Sequence, residues 1–355
     1  MADINLDGSY LEGGGQIVRN ALALSCLTGK SFCVDSIRKG RCDSGLKAQH
    51  LFCVKAAAIL SRADFSDVEI GSTSITFFPK KLSATALDID IGTAGSITLF
   101  LQSVLIPAMF ANAPVKIKIR GGTDVTWSMP VDYLKEVFLP HVKEFAGIKI
   151  KTFKRGYYPK GGGEIEVEVR PKFKLSDFEN FEEFHAYLRK QKIEINCVEL
   201  GKLEQIKGIS HASKTLSDAK VAERQAEIAK LALKELKCPI NITTEYSDSL
   251  SPGSGITLWA KFDSGAIIGA DSLGEKGKPS EAVGKEAAER LLKEIKLNAP
   301  VDSHLADNLV PFLALFGGKI KVTKITNHTL TNIYVTEKFL NVKFKVDEKE
   351  RIISA

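Results

Sequence analysis

Apolar positions along this chain alternate between two rhythms, and the alternation repeats. Helical spacing of Ile17, Val18, Ala21, Leu22 and Leu24 follows a glycine turn at Gly14 and closes at Thr28-Gly29-Lys30. The strictly alternating stretch Ser31–Ile37 then predicts a strand ending at Arg38, and Gly45–Ser61 returns to helical spacing. A second copy starts at Gly95 with Ile97, Leu99, Phe100, Leu101, Val104 and Leu105. It turns at Asn112-Ala113-Pro114, alternates through Val115, Ile117 and Ile119 to Arg120-Gly121-Gly122, and continues in the helical pattern Val131–Phe145. The third copy has a helix at Leu305–Phe316, the turn Gly317-Gly318, a strand at Lys319–Ile325 and a helix at Leu330–Leu340. Repetition at this scale predicts one α/β unit duplicated around a shared core, with helices covering sheets. It puts Arg38, Gly121 and His328 at comparable strand ends, and His328 at a strand-to-helix junction, where scaffolds present reactive groups.

Between these copies the rhythm changes. Residues 174–274 are richer in Lys and Glu and fall within the size of a small domain. A strand around Ile193, Ile195 and Val198 leads to a polar helix, Val221–Leu236. Strands Ile240–Tyr246 and Ile256–Phe262 flank the loop Leu250–Gly255, and another surrounds Ile267-Ile268. The helix Ser280–Ile295 is expected to return to the main body. The expected organisation is a discontinuous body, 1–173 and 275–355, carrying a small α/β insert at 174–274.

Composition narrows the class without naming a function. The chain is 44% hydrophobic and 26% charged, an ordinary globular balance, and its net charge of +6 leans toward anionic partners. Six cysteines without Cys-x-x-Cys spacing suggest neither a disulfide framework nor a zinc site. The polar start Ala2-Asp3-Ile4-Asn5 lacks the build of a targeting segment, and no apolar run reaches the ~20 residues that span a bilayer. A cytoplasmic protein without membrane contact is expected; its oligomeric state stays open.

The candidate chemistry lies in the turns. Glu12-Gly13-Gly14-Gly15-Gln16 opens the first helix, which carries Arg19; a basic cluster, Arg38-Lys39-Gly40-Arg41, precedes Lys47, Gln49 and His50. Glycine turns at helix starts aim N–H groups and the helix dipole at anions, a carboxylate holds hard cations, and guanidinium forks grip phosphate oxygens. With an imidazole nucleophile these features point to phosphoryl or nucleotidyl transfer, though each alone is equally well read as a capped turn, a surface charge or a packed histidine.

Arg155-Gly156-Tyr157-Tyr158-Pro159-Lys160-Gly161-Gly162-Gly163-Glu164-Ile165, joining two alternating strands, is far rarer. It resembles the pattern of the RNA 3'-terminal phosphate cyclases. Other family landmarks occur in the same order: Asp7-Gly8-Ser9 with Glu12–Gln16 and Arg19; Ile37–Arg41 with Gly45-Leu46 and Gln49-His50; Gly92–Ser96 with Gln102; Leu305–Leu309; and His328-Thr329-Leu330-Thr331-Asn332-Ile333. The resemblance covers nearly the whole chain and thins in the insert.

The resemblance implies an α+β fold of repeated βαβαβ-type units, four in number with three closely alike, plus the inserted domain. It implies ATP and a divalent metal, Mg2+ or Mn2+, as cofactors, and RNA 3'-phosphate ends as partners. His328 would take AMP from ATP, with Asp307 accepting its Nδ1–H, and Glu12 would hold the metal. Arg19, Arg38, Arg41, Gln49 and His50 would handle phosphate. Gln102, His304, Asp307 and Asn308 would bind the nucleotide, with Pro130 and Tyr133 as the opposite pocket wall. Imidazole suits the task because its ordinary pKa of about 6.5 leaves the neutral form abundant. His304 stands where the cyclases often carry an aromatic residue that stacks on adenine, and Asn308 where they carry Gln, so ATP against GTP is not fixed. A non-catalytic RNA-binding ribosome-assembly protein of the same fold is the alternative, which would lack the histidine nucleophile. Enolpyruvyl transferases share related repeats but would have no use for His328 or for the Arg155–Ile165 motif.

Overall fold

The computed structural model describes residues 2–355. Its first unit is β1 (Ile4–Asp7), α1 (Gln16–Thr28), β2 (Phe32–Asp35), α2 (Ala48–Ser61), β3 (Asp64–Phe65) and β4 (Ile75–Phe78). The second is β5 (Leu87–Asp90), α3 (Ile97–Met109), β6 (Val115–Gly121), a broken helix, β7 (Ala146–Lys154) and β8 (Gly163–Pro171). The broken helix is α4 (Val131–Tyr133), a π-turn (Leu134–Phe138) and α5 (Leu139–Val142), where sequence spacing predicts one continuous helix. Next come α6 (Phe181–Lys190) and β9 (Ile195–Cys197), followed by β10 (Leu203–Ser213), α7 (Val221–Leu233), β11 (Ile240–Ser247), β12 (Ser254–Phe262), β13 (Ile267–Leu273) and α8 (Ser280–Lys296). The chain finishes with α9 (Ser303–Phe316), β14 (Gly318–Lys321), α10 (Asn327–Phe339), β15 (Lys345–Asp347) and β16 (Ile352–Ser354).

Three sheets share one topology. Their strand orders are β1-β2-β4-β3, β5-β6-β8-β7 and β9-β14-β16-β15. In each, the first two strands are parallel and the last two antiparallel to their neighbours. The repeat is therefore βαβαββ, present three times, with α1, α3 and α9 as equivalent first helices. The fourth sheet, β11-β10-β12-β13, has a different order and no counterpart among them.

The local sequence explains the boundaries. Gly29 closes α1 in the left-handed conformation, φ 73°, and returns its N–H to Ser25 O. Ser96 caps α3 by accepting from Leu99 N–H, and Asp302 caps α9 by accepting from His304 and Leu305 N–H. Helix α1 is buried from Gln16 to Leu27, so it forms the centre of a helical layer with α3 and α10 rather than a surface stripe. The sheets cover this layer: on β8, Ile165, Val167 and Val169 face the core, while Glu164, Glu166 and Glu168 alternate with them toward solvent.

The packing divides the chain differently from the expected 174–274 insert. Phe181, Phe184 and Leu188 of α6 and Ile195 of β9 belong to the main core, because α6 lies on α9 and β9 completes the third sheet. Helix α8 does not return to the body. Its Val283, Ala287, Ala288 and Leu291 join Ala226, Ala229 and Leu233 of α7 in a second core on the fourth sheet. That core runs from Leu200 to Ile295, between β9 and α9 of the third unit. Lys/Glu enrichment follows exposed helix faces, so it misplaced both edges. No helix of the described residues is long and apolar enough to cross a membrane, and all six cysteines are unpaired.

Candidate active site

The first helix of the first unit and the second helices of the first and third units begin at one place, so three helix N-termini share a surface. Gly13 turns left-handed, φ 54°, to bring Glu12 round to the start of α1. Gly15 must be glycine: a Cβ there would collide with His50 Nε2 and lie 2.9 Å from Arg19 Nη1. His50 sits in the first turn of α2, where its Nδ1 accepts the Lys47 N–H at 3.0 Å. His328 occupies the matching turn of α10, not the end of a strand as its spacing predicts. The Thr326–Thr329 capping box draws the helix three residues further toward the N-terminus than Leu330. Arg38, by contrast, lies in the turn after β2, well before α2, so the structural counterpart of His328 is near His50.

His328 Nδ1 meets Gln16 Oε1, and Gln16 Nε2 donates to His328 O at 3.2 Å. Its Nε2 lies 2.8 Å from Glu12 Oε2, which also receives Arg41 Nη2 at 3.3 Å. With side chains 42% and 32% exposed, His328 and Glu12 are open to a ligand. Asp307 is not the partner of Nδ1. It accepts from Thr329 Oγ1 at 2.7 Å and Thr326 Oγ1 at 3.2 Å, and so anchors the cap of α10. Burial pushes the Asp307 carboxyl up to about 6, against the Thr329 hydrogen bond and the His328 and His304 imidazoles.

Cations outnumber their partners nearby. Burial, with Arg38 adding to it, draws the Arg19 guanidinium down to about 10. Arg38 is lowered by burial and then by Arg41. Its backbone is held left-handed, φ 56°, and its buried Nη1 has no hydrogen-bond partner among the described residues. Gln49 Oε1 accepts from Ser96 N–H at 3.1 Å, tying α2 to the entry of α3.

Burial first, then Arg19, Arg38 and Lys47, hold His50 down at about 3, so it is neutral at pH 7. Between pH 6.5 and about 3 the unfolded chain binds a proton that folded His50 refuses, so this term costs stability as pH falls, about 1.4 kcal/mol per unit. Asp307 acts oppositely between about 6 and 3.8, where only the folded chain gains the proton. His50→Asn is therefore expected to lose about 2 kcal/mol less stability than the parent chain between pH 6.5 and 5. Urea midpoints across this range check it; parallel curves would contradict it.

A polar relay leads away from Arg19. Arg19 Nε donates to Gln102 Oε1 at 2.8 Å, Gln102 Nε2 to Asn308 Oδ1 at 2.9 Å, and Asn308 Nδ2 to His304 O at 2.7 Å. Gln102, Asp307 and Asn308 border a narrow cleft between α3, α9 and the broken helix, with Leu101, Leu134 and Phe138 on its apolar side. Asn20 and Asn332 line it too and bond each other at 2.7 Å. Sequence spacing does not reveal this pair, because the two residues belong to helices far apart in the chain. His304, one turn before Asn308 on α9, is exposed. Tyr133 is not an open wall. It is fully buried, its hydroxyl donates to Asp302 at 2.5 Å, and its ring meets His304 edge-on. Pro130 is buried at the start of α4.

Comparison with known proteins fits this arrangement. The family profile for RNA 3'-terminal phosphate cyclase matches residues 10–346. The chain belongs to the RNA 3'-terminal phosphate cyclase family. Among its relatives is the RNA 3'-terminal phosphate cyclase of Pyrococcus abyssi, 46% identical over 347 residues, covering 97% of this chain and 95% of the relative. Those of Pyrobaculum neutrophilum and Methanosarcina barkeri are 43% and 44% identical, covering 97% and 98% of this chain and 95% and 97% of theirs.

In this family member the Arg155 motif acts as a structural hub. Arg155, 3% exposed, reaches Asp124 at 3.2 Å, Asp132 at 2.7 Å and Glu245 of the fourth sheet at 3.0 Å. Tyr157 OH lies 2.9 Å from His211 Nδ1, and His211 Nε2 lies 3.2 Å from Asp124. Burial would raise the Asp124 carboxyl, but His211 and Arg155 outweigh it and hold it below the usual range; Asp132 is raised by burial despite Arg155. Donor atoms of Asp124, Asp132 and His211 lie within 4.8 Å of one another, the spacing of a metal site. The guanidinium already supplies the positive charge there, so the cluster fits a buried ion network rather than a cation. Glu12 fits a divalent cation better: it is a partly exposed hard oxygen donor, and Mg2+ binds through such a carboxylate together with substrate phosphates.

Proposed function

We propose that the chain converts an RNA 3'-terminal phosphate to a 2',3'-cyclic phosphate with ATP, in the cytoplasm, through a covalent adenylate on His328. The observation that carries this reading is the division of labour on one imidazole. Gln16 engages Nδ1, which leaves Nε2 facing the open surface beside Glu12 and the arginines. With Nδ1–H donated to the amide oxygen, Nε2 carries the lone pair a nucleophile needs once the Glu12 carboxylate, 2.8 Å away, turns from it to the cation.

His328 Nε2 forms a P–N bond to the α-phosphorus, and the P–O bond to pyrophosphate breaks. An oxygen of the RNA 3'-phosphate then displaces the histidine, exchanging the P–N bond for a phosphoanhydride. The neighbouring 2'-OH attacks the RNA-side phosphorus, loses its proton and expels AMP, closing the ring. Mg2+ or Mn2+ held by Glu12 would neutralise phosphate charge. Arg19, Arg38 and Arg41 grip phosphate oxygens, and Gln49 and neutral His50 sit among them as hydrogen-bonding groups. Gln102 and Asn308 hold the nucleotide at the mouth of the cleft, with His304 over the base. Pro130 and Tyr133 act from behind, fixing the broken helix and, through Asp302, the start of α9. Asp307 acts through the cap of α10.

Arg38→Ala removes a charge-assisted contact worth roughly 1.5–3 kcal/mol, so cyclisation at subsaturating RNA should fall about ten- to hundredfold. An unchanged rate would make Arg38 a surface cation. The reading as a whole is tested with two oligonucleotides that differ only in a terminal ribose or 2'-deoxyribose. The ribose 3'-phosphate should give the cyclic end only with ATP, and the deoxy substrate should stall as its adenylate. Cyclic product without ATP would refute the scheme.

A further inference from the structure

Trp127 is 95% exposed, and its backbone takes φ 66°, a conformation that bulky residues rarely hold. Tyr158 is 76% exposed. Both stand on loops leaving the sheet at one point: Gly121 of β6 pairs with Gly163 of β8, Trp127 follows the former and Tyr158 precedes the latter. The loops are locked together, since Gly156 N–H donates to Thr123 Oγ1 at 2.8 Å and Thr123 N–H donates to Gly156 O at 3.0 Å.

The same loops lie against the turn that opens α3, which α2 ties to the cation cluster. Gly122 N–H donates to Gly95 O at 2.9 Å, and Gly161 packs so closely on Thr93 and Ala94 that a Cβ would overlap them. Ser96, which follows Gly95, donates its N–H to Gln49, the neighbour of His50. A continuous path of contacts thus runs from Arg19 and His50 to the two exposed rings. Exposed Lys160 lies on the Tyr158 turn, and exposed Lys39 and Arg41 lie at the other end.

We propose that Trp127 and Tyr158 are a stacking platform for the unpaired RNA bases that precede the 3'-phosphate. The proposal rests on the RNA-cyclase reading above and adds to it where the strand lies. Two ring faces presented singly, among lysines and glycines, suit nucleobases, each of which has a π-face. The arginines take the phosphate that ends the strand. Rings on loops locked together by the Thr123–Gly156 hydrogen bonds stack without first ordering a flexible segment.

The chain has two tryptophans, and Trp259 is only 4% exposed, so Trp259→Phe leaves Trp127 as the sole reporter. Its emission should be quenched on titration with a 3'-phosphorylated oligoribonucleotide. Trp127→Ala should raise the KM for this RNA about tenfold, and Trp127→Phe should recover most of the loss. An oligonucleotide abasic at its last positions should lose a similar factor with the parent chain and little more with Trp127→Ala, a coupling that a purely structural role would not produce. Phe153→Ala, an exposed aromatic on β7 outside these loops, is the control and should change nothing. Unquenched Trp127 emission at saturating RNA, or equal losses from base removal in both proteins, would overturn the platform and would be the result if these rings serve a protein partner. Labelling of His328 by ATP without RNA is read separately: its failure counts against the cyclase chemistry, and Trp127 quenching, which needs no turnover, still tests the platform in that case.

Discussion

His328→Ala is expected to reduce ATP-dependent adenylation of the protein by on the order of a thousandfold or more, to background. Gln16 holds Nδ1 and fixes the ring, and alanine removes both the nucleophile and that contact. The start of α10 should persist, because Thr326, Thr329 and Asp307 make the cap without the imidazole. A variant with native circular dichroism and wild-type labelling would remove His328 from the reaction.

The largest stability effect is expected at Arg155. Arg155→Met keeps the aliphatic bulk and deletes the charge, leaving Asp132 buried without its cation and Asp124 with only His211 and Thr123. Breaking a buried pair in this way costs about 3–5 kcal/mol, because the carboxylate left behind keeps its desolvation penalty. Glu245 lies on the fourth sheet, so the loss also loosens the unit from Leu200 to Ile295 against the body. A lower urea midpoint with a second, separate transition is the expected outcome. An unchanged single transition would show that the network contributes little.

Much of the fold is legible in the chain because the relevant signals are local. Apolar spacing and glycine turns located α1, α3 and α9 and the strand at Val115, and glycine-rich turns marked the places where backbones approach. Longer-range organisation was harder to read. Residues 193–198 read as part of an insert, yet β9 completes a sheet with β14, more than a hundred residues away. The Val131–Phe145 helix kept its apolar spacing but broke at a π-turn, which periodicity cannot register. In the site, residue types and order indicated Glu12, the arginines and His328, whereas their pairing was not accessible. Asp307 was assigned to Nδ1, the position Gln16 holds from the opposite end of the chain. Tyr133 looked like an open aromatic but is buried against Asp302. Arg155 lay within a recognised motif, but its partners come from three separate segments and one of them from another sheet.

The most direct test is to incubate the protein with ATP labelled at the α-phosphate, without RNA, and map the modified peptide. The account predicts one AMP per chain on the peptide containing His328, released by acid and stable to alkali, as a phosphoramidate is. Label on another residue, or a bond that resists acid, would contradict it.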